Sequence, residues 1–132
     1  MNDVALIESP SLRQEFCTEE NTSVLEKVGY LVKIPGTVFA TTKQVAQFYA
    51  VPEETIRTII ARHKNELKTD GYNVLLRKDL GEFQDETLKT HARNIAVFPR
   101  RAVLRIGMVL RDSPVAKQVR NYLLNIEELS TK

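Results

Sequence analysis

An α+β fold is predicted for this chain by three observations. Thr41 to Leu67 reads as two amphipathic helices meeting at a tight turn. Tyr72–Arg77 and Asn94–Phe98 are short β-branched or aromatic runs, and from Pro99 onwards come two more amphipathic helical stretches. At 132 residues the chain is long enough for one domain with a core and too short for two ordinary ones.

Met1 to about Thr22 mixes polar, acidic and scattered apolar residues without a period, which predicts a flexible, loosely attached arm over 1–22. Gly29–Ile34 and Thr37–Ala40 are rich in β-branched and aromatic residues. Pro35-Gly36 between them is a turn signal, so two short strands are expected there.

Thr41 to Ile60 has the spacing of a helix-turn-helix, the unit that lays its second helix in the major groove of DNA. Two short helices that cross steeply need a small residue where they approach, and Ala46 fits. Val51 plugs the turn, while Ile56 and Ile59 return at helical spacing onto the first helix. Thr42 is a suitable N-cap for the first helix. Pro52 suits the first position of the second, where its missing donor would be unpaired anyway. The turn position that commonly holds glycine is Ala50, a departure that makes the match less specific. The second helix is expected to run through Ile60, Arg62, His63 and Glu66 to Leu67. It should end near Asp70-Gly71, with Gly71 free to take the left-handed cap.

Two strands follow, Tyr72–Arg77 and Asn94–Phe98, separated by the polar segment Lys78–Arg93 with a short helical turn around Asp79–Phe83. Strands joined by a charged excursion after such a helix have the form of a wing. Lys89, His91 and Arg93 would then sit near its tip, within reach of phosphate or minor groove; a plain surface loop is the alternative. Residues 23–98 are therefore predicted to form a winged helix-turn-helix with a small β-hairpin wing. Pro99 opens a helix to Arg111 with Val103, Ile106 and Leu110 on one stripe, and Gly107 suits the close approach of a neighbour. Ser113-Pro114 marks the start of a last helix to about Glu128, whose Val115, Val119, Tyr122, Leu123 and Ile126 share a face. This C-terminal helical hairpin, 99–132, either packs on the same domain or forms a dimer seam.

Composition excludes several classes. No apolar run approaches the roughly 20 residues of a membrane span, and Met1–Pro10 lacks the basic-then-apolar pattern of a signal peptide. A lone cysteine, Cys17, forbids an internal disulfide and suits a reducing cytoplasm. The net charge of +2 is too small to argue for nucleic acid by itself. Its distribution says more. Residues 1–27 carry Asp3, Glu8, Glu15, Glu19, Glu20 and Glu26 against Arg13 and Lys27. His91–Arg120 carries Arg93, Arg100, Arg101, Arg105, Arg111, Lys117 and Arg120 against Asp112. That asymmetry predicts a basic side able to hold phosphates, unless these arginines are simply solvated on helix faces.

The run Phe98-Pro99-Arg100-Arg101-Ala102-Val103-Leu104-Arg105-Ile106-Gly107-Met108-Val109-Leu110-Arg111-Asp112-Ser113, followed by Val115-Ala116-Lys117-Gln118-Val119-Arg120, resembles a block found in bacteriophage and mobile-element proteins. These are the Rha-like and KilA-N-associated DNA-binding regulators and antirepressors. Thr42–Gly71, with its Thr55-Ile56-Arg57 and its Arg62-His63 near Glu66-Leu67, is similar to the N-terminal part of the same proteins. The resemblance covers roughly Thr37 to Asn125. It implies a winged helix-turn-helix regulator; many relatives carry a further effector or antirepressor region, whereas this chain stops soon after the block and is expected to be a stand-alone module.

On the second helix Ile56, Ile59 and Ile60 face inward, which leaves Glu53, Glu54, Arg57, Thr58, Ala61 and Arg62 for the outward face. Arg57 is the strongest base reader, because a guanidinium takes guanine O6 and N7 together; Thr58 can meet a base edge or a thymine methyl. Glu54, with Glu53, either reads cytosine amino groups or stabilises the helix N-terminus through its dipole. Arg62, Lys64, Lys89, Arg93, Arg100, Arg101 and Arg105 are the expected phosphate contacts. Thr41, Thr42 and Lys43 join them, at the start of the first helix where free amides favour an anion. His63 is a polar surface residue or a phosphate contact. Enzymatic readings fare poorly: His63 and His91 lack neighbours with metal-ligand spacing, and no glycine-rich phosphate loop is present.

The expectation is a cytoplasmic, homodimeric, sequence-specific regulator of double-stranded DNA that needs no cofactor. The rival is a protein-interaction module, such as an antirepressor, that binds another regulator through the acidic N-terminal part or apolar helix faces.

Overall fold

The computed structural model describes residues 3–76 and 94–130. Within them the chain is α+β, with seven α-helices and one three-stranded antiparallel sheet. The segment predicted as a loose arm is helical and packed, a correction to the sequence reading. Helix α1 (Val4–Glu8) and helix α2 (Pro10–Phe16) are split by Ser9, whose hydroxyl accepts from the Leu12 amide at 3.2 Å and caps α2. A 3₁₀ turn (Glu20–Ser23) leads into α3 (Val24–Val28). Leu6, Phe16, Cys17, Val24 and Leu25 all enter the main core. Helices of five and seven residues display too little of a 3.6-residue period to be recognised from sequence. Tertiary burial holds them, not their own propensity.

Residues 29–39 do not form the two predicted strands. The turn at Pro35-Gly36 is present: Thr37 donates its amide to the Ile34 carbonyl at 3.0 Å, with Gly36 at φ +78°, the signature of a type II turn. Pairing regular enough for a strand is confined to β1 (Ala40–Thr41). Helix α4 (Thr42–Tyr49) begins one residue earlier than expected, because its cap is Thr41 and not Thr42. The Thr41 hydroxyl accepts from the Gln44 amide at 3.2 Å while the Gln44 carboxamide oxygen accepts from the Thr41 amide at 2.9 Å. Ala50 takes the left-handed conformation at φ 56°, ψ 46°, and Pro52 is the extended N-cap of α5 (Glu53–Thr69), one place before its predicted position. Ile56 and Ile59 are buried and Ala46 lies beneath them in the same core. Beyond α5, Gly71 at φ +97° lets Tyr72 donate its amide back to the Leu67 carbonyl at 3.0 Å.

Strand β2 (Asn73–Leu76) and strand β3 (Asn94–Phe98) occur where predicted, and the sheet order is β1-β3-β2. Ala40 lies opposite Phe98, and Leu75 opposite Ile95. The pleat divides the residues of β3. Ile95 and Val97 meet Ile34, Phe39 and Leu75 in a small cluster, while Phe98 enters the main core with Tyr72, ring centroids 5.0 Å apart. The expected helical turn at Asp79–Phe83 and the expected wing-tip residues Lys89, His91 and Arg93 lie outside the described residues.

Helix α6 (Arg100–Val109) is the central element, buried on every side from Ala102 to Val109. The single apolar stripe predicted for it is too narrow, since Arg105 is the only charged side chain from Ala102 to Leu110. A helix apolar all round belongs inside. Helix α7 (Pro114–Ser130) starts where predicted: the Ser113 hydroxyl accepts from the Ala116 amide at 3.1 Å and donates to the Tyr49 carbonyl at 2.7 Å. Val119, Leu123 and Leu124 are buried, Tyr122 is 38% exposed, and the Ile126 side chain lies outside the described set. The helical hairpin thus completes the core. At Gly107 the approach is as close as the sequence suggests, since an added Cβ would sit 2.5 Å from the Tyr49 hydroxyl. No described helix is long and apolar enough to cross a membrane.

Candidate nucleic-acid interface

Helix α5 presents two opposed sides. Ile56, Ile59 and Leu67 are buried, whereas Glu54, Arg57, Thr58, Ala61, Arg62, Lys64, Asn65 and Lys68 are exposed. Advancing 100° per residue, Glu54 and Ala61 run along the middle of that exposed side with Arg57 and Thr58 flanking them, and Asn65 and Lys68 are the exposed residues beyond His63. Asn65 and Lys68 are absent from the residues expected on this side, although the spacing 54, 61, 65, 68 is the helical one.

Arg57 does not stand free. Its Nη1 donates to Glu54 Oε2 at 3.2 Å, and its Nη2 lies 3.6 Å from Glu53 Oε1. Arg57 and Glu54 are exposed and Glu53 partly so, which makes these pairs weak and exchangeable. The Thr58 hydroxyl donates to the Glu54 carbonyl at 3.1 Å, a back-bond within the helix that orients its methyl and leaves its lone pairs available. Glu53 and Glu54 occupy the first turn of α5, where carboxylates also favour the helix dipole.

The predicted phosphate contacts divide. Lys43, Arg62 and Lys64 are exposed, and Thr42 is half-buried at the first position of α4. Thr41 is buried and its hydroxyl is committed to the capping box, so it offers an anion little. Arg105 is a correction: it is fully buried and cannot touch a phosphate. Its Nε and Nη2 donate to the two Asp70 oxygens at 2.7 and 3.0 Å, its Nη1 donates to Glu66 Oε1 at 3.0 Å, and Nη2 also reaches Gln14 Oε1 at 3.2 Å. Burial works against its charge, yet the hydrogen bonds to Asp70 and the nearby negative charges outweigh it and raise the guanidinium pKa. Arg101 donates to Asp70 Oδ1 at 3.2 Å, and Arg100 pairs with Glu26 at 2.7 Å and donates to the Thr22 carbonyl at 3.1 Å. Both keep some exposure and both already have acceptors.

The residues that the sequence reading misses are those of this internal ion cluster. Arg13, on α2, is 3% exposed; its Nε and Nη2 grip the two Glu66 oxygens at 2.8 and 2.7 Å, and its Nη1 donates to the carbonyls of Leu6 and Ile7. The Arg13 hydrogen bond holds the Glu66 carboxyl down at about 2, against the cost of its burial. His63, half-buried, turns toward the same carboxylate, with Nδ1 3.4 Å from Glu66 Oε2. Cys17, expected in a mobile arm, has a thiol that donates to the Arg101 carbonyl at 3.3 Å, with Asp70 Oδ1 as an alternative acceptor at 3.6 Å. Burial, reinforced by Asp70, pushes that thiol up to about 12. Arg120 is likewise internal, donating to Asp3 and to the carbonyls of Gly107 and Leu110. A signal for the cluster does exist: two acids four residues apart, Glu66 and Asp70, and two arginines four apart, Arg101 and Arg105, mark matching faces of two helices.

Among the described residues no group of His, Cys, Asp and Glu side chains could hold a metal ion. What the surface offers chemically is a helix side with one guanidinium, a hydroxyl, an amide, flanking cations and a pair of carboxylates. Compared with family models, curated proteins and solved structures, the chain matches none.

Proposed function

We propose that this protein is a sequence-specific double-stranded DNA-binding regulator, built as a winged helix-turn-helix and acting as a homodimer. The observation that carries the reading is α5: a helix docked on α4 through Ile56 and Ile59, across a left-handed turn at Ala50, with its opposite side exposed and polar. The sheet order β1-β3-β2 supports the wing, because β2 and β3 follow α5 directly and are antiparallel neighbours. In this reading Arg57 exchanges Glu54 for guanine, Thr58 meets an adjacent base edge, and Lys43, Arg62 and Lys64 hold phosphates. Arg100 and Arg101 contribute only by giving up their present carboxylate partners.

The test is a titration against a selected duplex and a random-sequence duplex, at low and at physiological salt. Tight binding to the selected duplex that survives salt is the expected result. Arg57→Ala is expected to lower discrimination at one base pair by roughly 1–3 kcal/mol while leaving random-sequence binding nearly unchanged. Retention of full discrimination in that variant overturns the groove assignment.

A second reading has an observation in its favour. Arg13, Arg105 and Arg120 are turned inward, and Arg57 lies between two carboxylates, so the exposed positive charge is thinner than the sequence suggests. This favours a protein-interaction module that binds another regulator. Absence of duplex binding even at low salt would decide for it.

A further inference from the structure

Helix α5 is two helical stretches joined across a break at His63, whose backbone lies at φ −124°, ψ 28° instead of the helical values near −63° and −42°. Its neighbours are Arg62 and Lys64, and no proline, glycine or serine stands within four residues of it to cause a kink. The two halves are held by different parts of the molecule. The first half is fixed by Ile56 and Ile59, which pack in the core with Ala46 of α4. The second half is fixed by its acids: Glu66 by Arg13 and Arg105, and Asp70 by Arg105 and Arg101. The break falls between these two anchors, three residues before Glu66.

We propose that Arg13 is a positioning residue for the DNA-reading helix, its grip on Glu66 being one of the two anchors that together set how α5 is presented on the body of the protein. This rests on the DNA-binding function proposed above. Among the three arginines, Arg13 alone comes from the N-terminal helices, so it ties residues 3–16 to the reading helix. Its guanidinium is used as a fork. One edge spans both oxygens of Glu66, and the remaining nitrogen satisfies the carbonyls of Leu6 and Ile7 in α1. A lysine would keep the charge and lose the fork, so the angle it fixes would be lost before the attraction is. Arg105 remains on Glu66 in that case, and the carboxylate is not left bare. His63 completes the arrangement by turning its ring to the Glu66 oxygen that Arg13 Nη2 holds.

The experiment measures direction first and DNA second. Spin labels at Thr58→Cys and Gln118→Cys, both exposed positions on α5 and α7, report the distance from the reading half to the body. The buried Cys17 does not compete for label. In Arg13→Lys the distance distribution is expected to shift or broaden at unchanged thermal midpoint within a few degrees. In the unlabelled variant, preference for the selected duplex should fall roughly ten-fold, the scale of one misplaced base contact, with random-sequence affinity within about two-fold. An unchanged distribution, or an equal loss of selected and random binding, overturns the proposal. Should Arg13→Lys fail to fold, Glu66→Gln carries the same measurement, with the same shift expected and an unchanged distribution equally decisive against it. A wild-type protein that binds no duplex at low salt overturns the DNA-binding function and leaves the distances to judge the clamp alone.

Discussion

Ala50 is the one described residue other than glycine with positive φ, and it sits at the turn between α4 and α5. Its methyl strains the left-handed conformation without a packing return, being exposed. Ala50→Gly is expected to raise stability by about 0.5–1 kcal/mol in a urea titration, with the entropy of a freer unfolded chain offsetting part of the gain. Gly107 has the opposite character. A Cβ there meets the Tyr49 hydroxyl, which is donating to the Val103 carbonyl at 2.6 Å. Gly107→Ala should cost roughly 2–3 kcal/mol by overpacking, and Tyr49→Phe about 0.5–1.5 kcal/mol by removing that buried hydrogen bond. The pair should cost less than the sum, because removing the hydroxyl makes the room the methyl needs; strict additivity in a double-mutant cycle would refute the contact.

At the scale of elements, the ion cluster makes an acid-sensitive joint between α2, α5 and α6. Glu66 is held at about 2 against an ordinary 4.5. A lowered carboxyl pKa contributes stability that is whole above about pH 4.5 and is lost as pH falls toward 2. The amount is on the order of 3 kcal/mol, from about 1.4 kcal/mol per unit. Wild-type thermal midpoints should therefore drop through that window, while Glu66→Gln, weaker at pH 7, should show a shallower drop; parallel curves would count against the pairing. Elements whose signal is local are legible in the sequence: the Pro35-Gly36 turn, the Ser113-Pro114 start of α7, β3 with its bounds and the cap at Gly71. Both caps in the helix-turn-helix are off by one residue; at the first, Thr41 and Thr42 offer the same hydroxyl and only the reciprocal bond with Gln44 chooses between them. The N-terminal helices are illegible because what stabilises them is distant in sequence, Arg13 reaching Glu66 and Arg120 reaching Asp3.

For the whole molecule, charge by sequence and charge by surface differ. The arginines of 93–120 that suggest a phosphate-holding side include two, Arg105 and Arg120, that are almost wholly internal. A salt titration should separate the two kinds of cation. Removing Arg62 and Lys64 together should make the slope of log affinity against log salt shallower by about one for each phosphate that they neutralise. Arg105→Ala should instead cost about 3–5 kcal/mol of folding stability by breaking a buried ion pair and leaving Asp70 with Arg101 as its one cation, visible in urea without any DNA present. The candidate reading face is legible because a helix surface follows from periodicity alone. The interior role of the arginines is not, because only the assembled fold reveals which acids they meet. Cys17 gives the molecule a built-in clock. Its thiol is shut between α2 and α6 by the same cluster, so an alkylating reagent at pH 8 can react only when the N-terminal helices lift away. The rate of modification then counts those openings, and comparing it with global unfolding tells whether the first helices come off alone or only with everything else.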